Sequence, residues 1–323
     1  MVDAVGRGLQ DETVFGPYRA RCALPAAASP ATAALIQCMS SALLLTWPVA
    51  AAVLFAALLH AGWNVLVKSG SDKAMDNALI PLLGSLVALP LLLVVGWPPA
   101  AAWPFILASA VIHIGYYTAL TGAYKHGDLG LTYPLMRGTA PLLVALSATL
   151  TLGETLSPLS WAGVLGVSCG VLALGVSRHA LDSPRAVAFA LANAVVIALY
   201  TVVDGLGVRA SGNALQYVLA LFALNGWPFA LIVLARRGAV AAWPYARRRW
   251  PVALVGGIAS LGSYGIALWA MTRAPVATVA ALRETSVLFA ALLGTWFLKE
   301  SFNPQRIVGT ALIVGGVMAL RMG

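Results

Sequence analysis

A long internal repeat constrains the fold of this chain more than any other feature of its sequence. Residues 127–174 align without a gap to residues 273–320 at a constant offset of 146, and 15 of the 48 aligned positions are identical. Apolar matches arise by chance in a sequence that is 60% hydrophobic. Charged, proline and glycine residues that match at the same offset rarely do so by chance. The matched pairs of this kind are Arg137/Arg283, Glu154/Glu300, Pro158/Pro304, Gly163/Gly309 and Gly170/Gly316. The chain is therefore built from two related halves.

Both halves are apolar enough to lie in a lipid bilayer. Charged residues make up 10% of the 323 residues, against about 25% in soluble domains. Residues 77–124 contain no Asp, Glu, Lys or Arg, and a helix needs about 20 apolar residues to cross a bilayer. This stretch alone predicts two membrane helices. The net charge of +9 is then interpreted as a determinant of membrane orientation and not as a nucleic-acid surface.

Ten apolar spans are predicted, five in each half. An odd number of spans inverts the second half relative to the first, as in secondary transporters whose substrate site lies between the halves. The predicted fold is therefore an all-α integral membrane protein, with one repeat at residues 47–177 and the other at 184–322. A linker is expected at residues 236–250. The spans are 47–67, 77–96, 103–122, 129–150, 158–177, 186–204, 213–235, 251–271, 275–298 and 304–321.

Residues 1–46 do not fit this pattern and are expected to form an N-terminal extension. Residues 1–21 are polar, and residues 22–38 are Ala-rich without a clear periodicity. No basic segment directly precedes a short apolar core, so a cleavable signal peptide is not predicted. The extension is expected either to be disordered or to reflect a misassigned start. The alternative start is Met39, which directly precedes the first span.

The first span carries a polar face. Polar groups inside a membrane are costly and are candidates for function. His60, Asn64 and Lys68 recur every four residues, so they share one face of the helix, with Trp63 beside it. His60 is predicted either to bind substrate or to be a hydrogen-bonded packing residue. Lys68 is expected to be a structural cation that extends to the membrane surface.

The later spans contain few charged residues, and two of these are arginines well inside the bilayer. Arg137 lies in span 4, while Arg283 and Glu284 lie in span 9. An unpaired guanidinium is expensive there, so each arginine either binds an anionic substrate or pairs with Glu284 or Asp204. Asp204 ends span 6, where it is either a functional carboxylate or a plain loop residue.

Span 4 is also expected to be mechanically irregular. Pro134 and Pro141 each remove a backbone N–H donor and leave a carbonyl without its helical partner. The equivalent positions of span 9 are Ala280 and Val287, so span 9 is expected to be straighter. The site is accordingly predicted near span 4, with Tyr133 and Arg137 lining it.

Aromatic residues in the neighbouring spans complete the predicted pocket. An interior aromatic stripe is either packing or a surface for a ligand, and both interpretations remain open here. The residues are Tyr116, Tyr117, Tyr124 and His113 in span 3, Tyr200 in span 6, and Tyr264 and Trp269 in span 8.

Two Glu-x-x-x-Pro segments close the halves, and their residues are expected to be structural. Glu154 precedes Pro158, and Glu300 precedes Pro304, at the ends of spans 4 and 9. Proline at the start of a helix loses no hydrogen bond. Each glutamate is expected to cap, or to form a salt bridge across, the short turn in which it lies.

Several segments of the chain resemble a known family. They are LLHAGWNVLVKSG at 58–70, YPLMRGTAPLL at 133–143, LGETLSPLSWAGVLGVSCGVLAL at 152–174 and ETSVLFAALLGTWFLKESFNPQRIVGTALIVGGVMAL at 284–320. These segments are similar to EamA domains, the five-helix repeats of the drug/metabolite transporter (DMT) superfamily. The resemblance covers residues 45–322. It implies a basket of spans 1–4 and 6–9 around a central cavity, peripheral spans 5 and 10, and alternating access, often with export.

The residues and the resemblance together give a functional hypothesis. The protein is expected to be a multi-pass secondary transporter of a bacterial inner membrane that exports a small polar metabolite, such as an amino acid or organic acid. Positive groups in the pocket favour a carboxylate or phosphate. The predicted substrate-binding residues are His60, Trp63, Asn64, Tyr116, Tyr133, Arg137, Tyr200, Tyr264 and Arg283, and the proton-coupling candidates are His60, Glu284 and Asp204.

The alternative is an exporter of drugs or lipophilic cations. Small multidrug-resistance relatives use a carboxylate in their first helix for this, and residues 47–67 contain neither Asp nor Glu. An enzyme is not predicted, because no convergent catalytic set is found. No nucleotide-binding loop, cofactor or metal site is predicted either. The expected partners are the lipid bilayer and the substrate, with the protein as a monomer or homodimer and no nucleic acid.

Overall fold

The computed structural model describes residues 45–127, 129–175, 183–298 and 304–323. The predicted N-terminal extension lies almost wholly outside these residues, as do Met39 and Glu300. Over the described ranges the chain forms helices joined by short turns, without a β-strand. The prediction of an all-α protein is confirmed for this part of the chain.

Eleven α-helices, numbered here in chain order, make up the described residues, with a short 3₁₀ turn at Ala100–Ala102. The first half contains α1–α5 and the second half contains α6–α11. Their bounds are α1 Trp47–Ser69, α2 Lys73–Val95, α3 Trp103–His126, α4 Leu129–Leu152, α5 Pro158–Gly175, α6 Pro184–Ser211, α7 Ala214–Arg237, α8 Ala239–Met271, α9 Val276–Arg283, α10 Thr285–Leu298 and α11 Pro304–Met322.

Among the described helices, α1 to α8 are each long and apolar enough to cross a membrane. Helix α11 has a shorter apolar stretch, Ile307–Met322. The predicted ninth span is divided into α9 and α10, which have 8 and 14 residues. Eight candidate spans are therefore found where ten were predicted, and the protein is a multi-pass membrane protein.

The irregularity expected in span 4 occurs in span 9 instead. Helix α4 runs without interruption from Leu129 to Leu152, although Pro134 and Pro141 lie inside it. The break falls at Glu284, whose backbone N–H bonds to the carbonyl of Ala281, three residues back. This prediction was wrong, since proline removes hydrogen bonds without ending a helix that is packed on its neighbours.

The linker predicted at residues 236–250 is also mostly helical. Gly238 ends α7 with a left-handed φ of 80°, a conformation that favours glycine. Helix α8 starts at the next residue and continues through Pro244 and Pro251. The expected linker therefore consists of the end of α7 and the first turns of α8.

The two halves are packed into each other. Helix α1 packs on α8, α2 on α7, α3 and α4 on α6, and α5 on α11. Each of these pairs joins the first half to the second. The main hydrophobic core is built from small and aliphatic side chains where the halves meet, including Met136, Leu221, Leu268 and Leu282. A site between these helices is therefore shared by both halves.

Helix ends are fixed by local capping. Asp72 accepts a hydrogen bond from the backbone of Met75 at the start of α2, and Ser183 caps α6 in the same way. Asn213 accepts from the backbone N–H groups of Leu215 and Gln216 at the start of α7. Such side-chain acceptors satisfy donors that a helix leaves unpaired at its N-terminus.

Candidate functional site

A central cavity lies among α1, α2, α3, α6, α7, α8 and α9, and both halves contribute to its wall. Its volume is about 80 Å³, which is room for a few water molecules. Half of the lining residues have aromatic rings, and the described lining carries one formal cation, Arg283, and no carboxylate. The lining residues are His60, Trp63, Asn77, Ile80, Pro81, His113, Tyr116, Tyr117, Leu120, Tyr200, Phe222, Asn225, Gly226, Ser260, Tyr264 and Arg283.

Six of the nine substrate-binding residues predicted from sequence line this cavity. They are His60, Trp63, Tyr116, Tyr200, Tyr264 and Arg283. The other three, Asn64, Tyr133 and Arg137, lie outside its lining.

Sequence reasoning missed Asn77, Asn225 and Ser260, all of which line the cavity. These uncharged polar residues lie within apolar helices, and that position was the signal that could have found them. None of the three makes a side-chain hydrogen bond with the part of the chain that the structure describes.

Arg283 is the last residue of α9 and is directed towards the cavity. Its side chain is almost fully buried, and the residue is 7% exposed. Its guanidinium carbon lies 5.0 Å from the centre of the Tyr264 ring, a distance typical of a cation–π contact. Within the described residues it forms no hydrogen bond or ion pair. A buried guanidinium with unused donors can bind an anion.

Arg137 has partners within the protein. Its Nε lies 2.8 Å from Oε2 of Glu284. One Nη donates to Nε2 of His60 at 3.0 Å and, at 3.4 Å, to the hydroxyl of Ser286. The guanidinium also lies 6.0 Å from the centre of the Tyr133 ring. The sequence left open whether this arginine binds substrate or pairs internally, and the structure places it in an internal pair.

The repeat explains why the two arginines differ. Arg137 and Arg283 are equivalent at the offset of 146, so the position equivalent to Glu284 in the first half is Gly138. A Cβ atom at Gly138 would lie 2.7 Å from the side chain of Leu172 on α5, so this position has no room for a carboxylate. Arg283 therefore lacks the counter-charge that Arg137 has.

Asp204 lies in the last turns of α6 and is fully buried, with 0% exposure. Its Oδ1 accepts a hydrogen bond from the hydroxyl of Tyr217 at 2.8 Å, and its Oδ2 accepts one from Tyr264. The hydroxyl of Ser109, which lies 3.3 Å from Nδ1 of His113, is a further polar group near this carboxylate. Asp204 is therefore part of a helix core and not a loop residue. Tyr264 connects it to Arg283.

The polar face of α1 is largely satisfied by local contacts. The indole N–H of Trp63 donates to Nδ1 of His60 at 3.2 Å, and the amide of Asn64 donates to the His60 carbonyl at 2.7 Å. The two ring nitrogens of His60 therefore lie against the N–H groups of Trp63 and Arg137, and a neutral imidazole can accept from one of them. The side chain of Lys68 lies outside the described part of the structure.

Aromatic rings pack closely along the cavity wall. His113 stacks on Tyr200 with 4.4 Å between ring centroids, and Tyr116 contacts Tyr200 edge-on at 5.9 Å. The Nδ1 of His113 lies 2.8 Å from the carbonyl oxygen of Ser109 in its own helix. These contacts hold the rings of α3 and α6 in fixed orientations.

Glu154 stabilises a helix that lies far from it in sequence. Its carboxylate accepts from Arg209 at 2.8 Å and from the backbone N–H groups of Val276 and Ala277 at 3.0 and 3.4 Å. It therefore caps the N-terminus of α9, not the α4–α5 turn in which it lies. Pro158 and Pro304 start α5 and α11 as predicted.

Comparison with known proteins identifies the family. A profile of the EamA-like transporter family matches residues 46–176 and, a second time, residues 184–322. No curated protein is similar enough in sequence to match. Several solved structures match, and one of them, a crystal structure, has a TM-score of 0.67 at 21% sequence identity, over 88% of this chain and 97% of the other. That likeness shows a shared fold. The chain belongs to the EamA-like transporter family, the membrane transporters of the drug/metabolite transporter type.

Proposed function

We propose that this protein is a secondary-active transporter that moves a small polar metabolite bearing a carboxylate or phosphate group, such as an amino acid or an organic acid. The observation that carries the proposal is Arg283, a buried cation in the cavity wall with no acceptor among the described residues. A substrate anion would supply the acceptors that Gly138, the repeat equivalent of Glu284, does not provide.

In this proposal the substrate anion binds Arg283, whereas the sequence predicted that it binds Arg137. Arg137 is held by Glu284, His60 and Ser286, so its removal would leave a buried carboxylate without a cation. The loss of transport in an Arg137 variant would therefore not separate binding from stability, and Arg283 is the informative position.

The small cavity supports alternating access. Pockets that enclose a small molecule usually measure about 300–1,000 Å³, and this cavity is far smaller, at about 80 Å³. A metabolite therefore requires the helices around the cavity to separate. Because both halves line the cavity, rocking of one half against the other would open it to either side in turn.

The proposed membrane topology has ten spans. Helices α9 and α10 together contain 22 residues besides Glu284, enough to form one span of about 20 residues. Helix α11 would be the tenth, so each half would have five spans and opposite orientation. We propose that the protein exports its substrate across a bacterial inner membrane, as a monomer or homodimer.

The experiment is thermal stabilisation of the detergent-purified protein by a ligand panel. The panel contains acetate, lactate, pyruvate, glycine, phosphate and two lipophilic cationic dyes. A ligand at 100 times its Kd adds about 2.7 kcal/mol. We expect stabilisation by at least one carboxylate or phosphate, and its loss in Arg283→Gln.

The matched control is Arg273→Gln. Arg273 also lies over an aromatic ring, 5.4 Å from the centre of Trp269, but it does not line the cavity. This control should keep the full ligand shift. Stabilisation by the dyes alone would overturn the proposal and favour a lipophilic-cation exporter. Export is then tested by efflux of the stabilising ligand from loaded vesicles.

A further inference from the structure

We propose that Asp204 and the substrate anion alternate as the counter-charge of Arg283, so that a proton binds Asp204 when the anion binds the cavity. The inference rests on the proposed function, because it assigns the coupling proton of that same site. It selects one of the three carboxylate or imidazole groups that the sequence left open.

The geometry joins Asp204 to the cavity through one aromatic side chain. Tyr264 donates its hydroxyl to Oδ2 of Asp204. The face of the same ring lies 5.0 Å from the guanidinium carbon of Arg283. Arg283 is the cation whose charge acts on Asp204. The Asp204 carboxylate thus offsets the positive charge of Arg283 from the far side of the Tyr264 ring. The side of the guanidinium that faces the cavity remains accessible to a ligand.

All groups that face Asp204 are compatible with both of its protonation states. The hydroxyls of Tyr217 on α7 and Tyr264 on α8 bond to it, and Ser109 on α3, Arg283 on α9 and Tyr200 on its own helix act at longer range. A hydroxyl can donate or accept. No described lysine, arginine or histidine forms a direct ion pair with Asp204, so protonation of Asp204 breaks no salt bridge.

His60 is poorly suited to carry the proton. Its Nδ1 faces the N–H of Trp63 and its Nε2 faces an N–H of Arg137. A neutral imidazole has only one acceptor nitrogen, and a protonated one has none. Adding a proton would remove the one remaining acceptor, so that both ring nitrogens oppose an N–H group, and would place a second cation beside Arg137.

Glu284 is unsuited for a different reason. Its carboxylate forms the 2.8 Å ion pair with Arg137, and the break between α9 and α10 holds it in place. Protonation would leave Arg137 buried without a counter-charge, which is costly in a membrane interior. Among the three candidates, Asp204 alone can gain a proton without breaking an ion pair.

The proposed step involves one proton and no redox change. A proton from solvent adds to one carboxylate oxygen of Asp204 and forms an O–H bond. The tyrosine that donated to that oxygen turns its own hydroxyl hydrogen away and accepts the new one. The site then has an uncompensated Arg283, which the substrate anion neutralises. Release of the anion and the proton on the other side restores the starting state.

The first test does not depend on the substrate. Infrared difference spectroscopy of the purified protein between high and low pH reports the C=O stretch of a newly protonated carboxyl group. We expect such a band in the wild type and its loss in Asp204→Asn. In Glu284→Gln the band should remain. Retention in Asp204→Asn with loss in Glu284→Gln would overturn the assignment.

The second test measures the linkage between proton and anion. The probe is lactate, or the monocarboxylate of the panel that stabilises the wild type most. If one proton must bind with the anion, the Kd of the wild type should fall about tenfold per pH unit on acidification above the titration midpoint. Asp204→Asn imitates the protonated acid, so its affinity should be high and independent of pH.

The outcomes separate this inference from the proposed function. If no carboxylate or phosphate binds, the proposed function fails, and the infrared test still decides the proton site. If the probe binds and Asp204→Asn keeps the wild-type pH dependence, the coupling inference is wrong and the anion site stands.

If Asp204→Asn does not fold, Tyr264→Phe replaces it, since it removes one donor to Asp204 while keeping the ring under Arg283. That variant should move the midpoint of the pH dependence, and an unchanged midpoint would contradict the inference.

Discussion

Arg137 of the first half is ion-paired with Glu284 of the second half, with 2.8 Å between Nε and Oε2. Both side chains are buried, at 7% and 6% side-chain exposure. The pair connects α4 to the break between α9 and α10. It makes one arginine of the repeat a structural contact, whereas its equivalent, Arg283, forms no ion pair with the residues that the structure describes.

Breaking this pair on one side should cost far more than removing both partners. We expect Arg137→Met alone to lower the free energy of unfolding by about 3–5 kcal/mol, because the carboxylate of Glu284 is left buried without a cation. The double variant Arg137→Met with Glu284→Met should recover most of that loss. Denaturation of the purified variants measures both quantities, and costs that simply add would show that the two charges do not interact.

The carboxylate of Glu154 should contribute to stability through α9. Replacement by alanine removes the acceptor of two backbone N–H groups and of Arg209, and we expect a loss of about 1–3 kcal/mol. The control is Arg237→Ala, which breaks the Asp72 pair of a side chain that is 43% exposed. That change should cost at most about 1 kcal/mol. Equal losses in the two variants would contradict the capping role.

The contact between α5 and α11 should depend on single glycines. A Cβ atom at Gly170 would lie 2.7 Å from the carbonyl oxygen of Gly309, whereas one at Gly315 has no neighbour within 4 Å. Gly170→Ala must push the helices apart, with an expected loss of about 1–3 kcal/mol. Gly315→Ala should be neutral or stabilising by up to about 1 kcal/mol, since alanine favours helix. The same effect at both positions would argue against close helix packing.

Membrane labelling should distinguish ten spans from eight. After removal of the native cysteines, Ser157→Cys in the α4–α5 turn and Gln305→Cys at the start of α11 should react with an impermeant maleimide from opposite sides, because five spans then separate them. Ser71→Cys in the α1–α2 turn should react from the side of Gln305. Labelling of Gln305→Cys from the side of Ser157 would show that α9 and α10 do not together make a span.

Much of the architecture could be predicted from the repeat and the apolar runs. The two halves and most of the helices α1 to α8 follow from local composition and register, and the resemblance of four segments indicated the EamA-like family. The position of the irregular backbone could not be predicted. Proline gave a signal in α4, where packing keeps the helix continuous, and no local signal marks the break at Glu284.

The sequence by itself determined which charged side chains lie within apolar spans. Such charges are rare in an apolar chain, so Arg137, Arg283, Glu284 and Asp204 could be recognised as candidates without the fold. Only the tertiary structure decided their roles. A charge is either paired or available according to what lies within a few ångströms across a helix interface, and those neighbours come from segments far apart in the chain. Glu284 therefore neutralises the arginine of the other half, Tyr264 connects Asp204 to Arg283, and Arg283 itself has no hydrogen-bond acceptor within the described parts of the chain.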